Sequence, residues 1–163
     1  MQGAIAAHLG SAQVSRVIYG AIIGLALVVS LQAHPPKAAV MAGSILATAA
    51  AVALAEIYSD IIGMETRTRA RVATAHKRAI AKDSLAVAGG IGFPSVFFLL
   101  ASASVLETDT AFTLAKWSGL GLIGLYGYLG GRLSGRSVPA SILHGLAVGL
   151  IGGFLIAFKS LLH

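Results

Sequence analysis

The sequence predicts an all-α polytopic membrane protein of five transmembrane helices. Three observations carry that reading. The chain is 56% apolar and only 11% charged, with a mean hydropathy of +0.85, whereas soluble domains carry roughly 25% charged residues. Five apolar stretches approach the roughly 20 residues that a helix needs to cross hydrocarbon. The basic residues behind the net charge of +6 fall mostly in the connections between those stretches. Placed there, they set topology and do not read as a nucleic-acid surface, so the bilayer is the expected partner. The absence of cysteine removes disulfides, thiolate metal sites and cysteine nucleophiles from consideration.

The expected spans lie near 14–33, 38–62, 84–106, 111–131 and 138–158, and residues 1–163 read as a single transmembrane domain. The segment Met1–Ser15 lacks the basic n-region and long apolar core of a cleaved signal peptide. Within it, the Ala-rich run Gly3–Gln13 suits a short interfacial helix. His34-Pro35-Pro36-Lys37 stops the first span and implies a tight hairpin with the second. Residues 63–83 form the one long connection, with Arg67, Arg69, Arg71, Lys77, Arg78 and Lys82. Its helix-forming composition implies that span two runs on into solvent and that a short helix leads back. Glu107-Thr108-Asp109-Thr110 is an acidic connection and Arg132–Ser137 a basic one.

Orientation follows from lysine and arginine bias. With the N-terminus inside, nine of the twelve basic residues lie on the inner side. Lys37, Lys116 and Lys159 remain, and the C-terminus, His163, falls outside. A plasma membrane of the bacterial type is the expected location. The basic connection would lie against anionic lipid headgroups.

Small residues recur every four positions, as Gly20 and Gly24 in span one and as Gly145, Gly149 and Gly153 in span five. This spacing lets helix backbones approach closely where lipid removes the hydrophobic drive. The stripes read as packing within one subunit, with a dimer seam as the alternative.

Chemistry is concentrated at the end of span two. Glu56 and Asp60, four residues apart, stack on one helix face. Carboxylates at that depth are costly in lipid, so they pair, line a wet cavity, or handle ions and protons. His144 is expected at a similar depth in span five, and Tyr19 and Tyr126 in the same inner layer; Met64 continues the carboxylate stripe by one turn. Carboxylate and imidazole suit Fe²⁺, Mn²⁺ or zinc, and both relay protons. Each residue also has a plain role: Asp60 paired with Arg16 or Arg67, Glu56 in a structural ion pair, His144 in packing, the tyrosines as interfacial belt residues, Met64 as apolar filler. No phosphate-binding loop, zinc-protease motif or serine triad is present, so an enzyme is not expected.

Three local patterns resemble the vacuolar iron transporter (VIT-type iron/manganese transporter) family. Tyr19-Gly20-Ala21-Ile22-Ile23-Gly24-Leu25 lies where that family has aromatic-Gly-x-Asn-Asp-Gly-Leu. Ala55-Glu56-Ile57-Tyr58-Ser59 is similar to its Gly-Glu-Tyr-x-Ser, with the tyrosine displaced by one. Gly131–Ser137 is similar to the linker before its last span. The resemblance implies a VIT-like homodimer whose first two spans line a pathway for a divalent cation exchanged against protons. Glu56 would be a pathway carboxylate, with Tyr58 beside it. The first-span Asn-Asp of the family stands here as Ile22 and Ile23, and its metal-collecting helices are replaced by the basic segment.

The expected function is therefore small-solute transport, with Fe²⁺ or Mn²⁺ as the cargo and Glu56, Asp60 and His144 as pathway groups. A non-transporting accessory subunit of a membrane complex is the alternative.

Overall fold

A computed structural model describes residues 11–161, and all the regular structure in them is α-helical. The helices are α1 (Ser11–Leu31), α2 (Ala38–Thr68), α3 (Thr74–Gly92), α4 (Ser95–Ser102), α5 (Thr108–Leu133) and α6 (Val138–Leu161). Residues 1–10, which hold most of the expected interfacial helix Gly3–Gln13, lie outside the described residues, as does His163.

Gln13–Leu31 and Ala38–Thr68 are long and apolar enough to cross a membrane, and α3 with α4 makes a third such span if the bent pair counts as one. Helices also form where the fourth and fifth spans are expected. In α5, however, glycines, Lys116, Tyr126 and Tyr128 dilute the apolar content, and the described apolar part of α6, Val138–Phe154, is short. At 31 residues, α2 extends about 46 Å. It outruns a hydrocarbon core of about 30 Å, so the span does continue past Ile62 as its composition indicates.

The lead-back helix and the third span are one element. α3 starts at Thr74 and runs unbroken to Gly92, and the break comes later, at Phe93-Pro94, where the axis turns by 50° into α4. Proline has no N–H, so the Gly90 carbonyl loses its donor and the helix cannot continue straight. The hydroxyl of Ser95 donates to the Gly92 carbonyl at 2.6 Å and caps the interrupted end.

Packing corrects the expected hairpin. α1 and α2 are joined by a short proline turn, yet they have little direct contact, because α3 wedges between them. The helices pack in the order α2, α3, α1, α5, α6, with α4 closing one end against α2 and α5. Glycine makes the wedge possible. A Cβ on Gly20 would collide with the Val87 carbonyl, and one on Gly90 would lie 2.6 Å from the Val17 carbonyl oxygen. The stripe Gly20–Gly24 is thus an intrachain crossing onto α3. α5 and α6 cross in the same manner, with a Cβ on Gly145 falling 2.7 Å from the Gly124 carbonyl oxygen. Gly149 is in ordinary contact with Gly124, and a Cβ on Gly153 would meet nothing.

The largest apolar cluster among the described residues is at the α4 end. Phe98 and Phe112 meet edge to face at 4.9 Å, walled by Val28, Met41, Ile45 and Ala115. Smaller clusters follow along the bundle, Ala21, Leu25, Val29 and Ile123 between α1 and α5, and Ala49, Val87 and Ile91 between α2 and α3.

Candidate functional site

The buried face of α2 changes character along its length. Met41, Ile45, Ala49 and Ala53 enter the core at four-residue intervals. Glu56 and Asp60 continue that face, three and seven residues beyond Ala53, where apolar packing ends. Arg16, one turn before Gly20 on α1, reaches across to both. Its Nη1 donates to Glu56 Oε2 at 3.0 Å, and its Nη2 donates to Asp60 Oδ2 at 3.1 Å.

The planar guanidinium fork suits this task, because its separate N–H groups can serve two acceptors at once. The side chains are 29% exposed at Arg16, 20% at Glu56 and 41% at Asp60. They are therefore part-exposed, in the gap between two helices that are held apart by α3 and barely touch. Both carboxylates thus take the plain role the sequence left open for them, Asp60 paired with Arg16 and Glu56 in an ion pair; Arg67 is not the partner of Asp60.

Asp83 is a member of this cluster that sequence reasoning missed. It lies one turn before Val87, which packs on Gly20, just as Arg16 lies one turn before Gly20. It is thereby brought within electrostatic reach of the Arg16 guanidinium. Its signal was the periodic face Asp83, Val87, Ile91 on α3. Ser84, the next residue, is fully buried, and its hydroxyl has no hydrogen-bond partner among the described residues. Arg16 thus bridges two carboxylates of α2, with Asp83 of α3 within its longer-range electrostatic reach.

The other expected residues lie elsewhere. His144 precedes Gly145 on α6, whose principal neighbour is α5, and α6 has no extensive contact with α2. Neither a hydrogen bond nor an ion pair joins His144 to Glu56. Among the described residues, no three His, Cys, Asp or Glu side chains gather as a metal-holding group. Tyr19 is 50% exposed and Tyr58 70% exposed. Met64 and Tyr126 are half-buried.

A second feature lies on the opposite flank. Between α5 and α6 an apolar groove of about 570 Å³ opens outward, with Trp117, Leu125, Tyr128, Leu146 and Leu150 among its walls and Gly121 and Gly153 on its floor. Compared with protein-family models, curated proteins and solved structures, the chain has no match.

Proposed function

We propose that the protein is an integral membrane transporter of small solutes, with a divalent cation such as Fe²⁺ or Mn²⁺ as its cargo. In this reading α1, α2, the bent α3–α4 pair, α5 and α6 form five spans, with the N-terminus inside. The observation that carries it is the shared arginine. Arg16 holds Glu56 and Asp60 as a tethered stand-in for a cation, in a cleft between α1 and α2 that stays part-exposed.

A guanidinium bridging two carboxylates cancels one of their two charges while no cargo is present, which offsets part of the cost of ionised groups at the membrane. A divalent ion entering the cleft displaces the guanidinium, and Asp83 raises the local negative potential that draws it in. Carboxylates taking up protons on the return step would couple the movement to a pH gradient. A second copy of the chain set against the open side of the cleft would enclose the path, with Tyr19, one turn along from Arg16, beside it. His144 would belong to this path only by approaching from that second copy. The VIT resemblance at Tyr19–Leu25 and Ala55–Ser59 points to the same two helices.

The test is flux. Reconstituted protein is expected to carry Mn²⁺ into liposomes when a pH gradient is imposed, and Glu56→Gln is expected to lower the initial rate at least tenfold. Equal rates from both proteins would remove Glu56 from the mechanism.

One observation favours a second reading, an accessory subunit of a membrane complex. The α5–α6 groove leaves Leu125, Leu146 and Leu150 exposed beside glycines that a Cβ would not crowd. Such a surface admits a partner helix. A stoichiometric partner in gentle extracts, together with no flux in liposomes, would establish that role.

A further inference from the structure

The end of the bundle beside the carboxylate cleft is strongly basic, and the structure shows how that charge is presented. α2 ends at Thr68, with Arg69 as its cap in a left-handed conformation at φ 52°, and the chain reverses through residues 70–73 into α3. The reversal is fixed from within. The Val72 N–H donates to Glu65 Oε1 at 3.2 Å, and Val72 and Ile80 are buried beneath it.

Six cations stand on this anchored turn: Arg67 on α2, Arg69 and Arg71 in the reversal, and Lys77, Arg78 and Lys82 on α3. All six are exposed, and none of them makes an ion pair among the described residues. Sixteen residues thus hold six unneutralised charges in a defined shape.

Their position identifies the counter-charge. Arg67 lies seven residues beyond Asp60 along one helix, about 10 Å at 1.5 Å per residue. That is somewhat beyond the Debye length of about 8 Å at physiological salt, so the cations reach the carboxylate cleft as a screened, salt-dependent potential. α2 is longer than the hydrocarbon core is thick, and on the membrane placement proposed above its extra turns carry Arg67 and its neighbours into the headgroup layer. Lipid phosphates are the anions found there, and polybasic segments next to a span bind them.

We propose that residues 65–82 form a binding site for anionic phospholipid headgroups of the leaflet at that end of the bundle, and that bound lipid neutralises the cations overlooking the carboxylate cleft. The proposal rests on the membrane placement given above and does not require transport. It explains how a basic mouth is compatible with an acidic site behind it. Without bound lipid the hairpin repels cations from Glu56, Asp60 and Asp83, and with it the repulsion is lifted.

The test uses the full chain in a neutral detergent, titrated with phosphatidylglycerol or phosphatidylcholine, with bound lipid counted by native mass spectrometry. Phosphatidylglycerol is expected to be retained at least tenfold more tightly than phosphatidylcholine, and the preference is expected to fall as salt rises. Each cation near a membrane surface contributes about fivefold, so the triple variant Arg67→Gln, Arg69→Gln, Arg71→Gln is expected to lose most of that preference. A second variant, Lys77→Gln with Arg78→Gln, leaves the Arg69 cap intact and serves if the triple variant does not fold. Equal retention of the two lipids, or an unchanged preference in the variants, would overturn the proposal. So would a polyanion such as RNA displacing phosphatidylglycerol from the wild-type chain. Absent Mn²⁺ flux alongside selective lipid retention would count against transport and leave this site standing.

Discussion

Arg16→Gln is expected to destabilise the protein by about 2–3 kcal/mol and to make that loss recoverable with Mn²⁺. Removing one partner of a fully buried ion pair costs about 3–5 kcal/mol, because the remaining charge is left without compensation. The cleft here is part-exposed, with Asp60 at 41%, so water screens some of that penalty. Even so, the variant leaves Glu56, Asp60 and Asp83 facing one another without their cation. A divalent ion that takes the place of the guanidinium stabilises by mass action, by about 2.7 kcal/mol at a hundredfold excess over Kd. Thermal unfolding in detergent, with and without Mn²⁺, reads both effects. The wild type is expected to respond less, because the ion must first displace Arg16. If Arg16 were only a latch between α1 and α2, the variant would be destabilised and Mn²⁺ would restore nothing.

Gly20→Ala is expected to cost about 3 kcal/mol, at the upper end of the range for overpacking a tight interior. The added methyl would collide with the Val87 carbonyl, which is backbone and cannot swing aside. α1 and α3 must then separate, which moves Arg16 away from the cleft as well. Gly43→Ala is the matched control, an interior position of α2 where a Cβ meets nothing within 4 Å. There the helix gains from lost unfolded-state freedom, by about 0.5–1 kcal/mol. Unfolding midpoints that fall for Gly20→Ala and rise for Gly43→Ala would place the close helix crossing at Gly20. A stable Gly20→Ala would mean that α1 and α3 are not packed so tightly.

The all-helical character was legible because composition and charge placement pointed the same way. So were the edges of α2: Pro35-Pro36 forces a start after Lys37, and the polar, helix-forming residues beyond Ile62 carry the helix to Thr68. Helix partners were not legible. Gly20 and Gly24 announce that some backbone comes close, but a spacing of four does not say whose, and the short loop suggested α2 when the partner is α3. The bend at Phe93-Pro94 carried a signal, since proline breaks a helix, yet an apolar run on both sides concealed it. Depth alone suggested that His144 shares a layer with Glu56. Which helix packs against which decides whether two residues at one depth meet, and α6 packs on α5. Asp83 was hidden by its place at the end of a charged connection, where an acid reads as solvated.

In the proposed mechanism the carboxylates of α2 form a cation site that a tethered arginine holds in the absence of cargo. Anomalous scattering from Mn²⁺-soaked crystals of the full chain tests it most directly. The expected result is a metal peak within coordination distance of Glu56 and Asp60 oxygens, with the Arg16 guanidinium turned away. A cleft without metal, with Arg16 still bridging both carboxylates at saturating Mn²⁺, would contradict it.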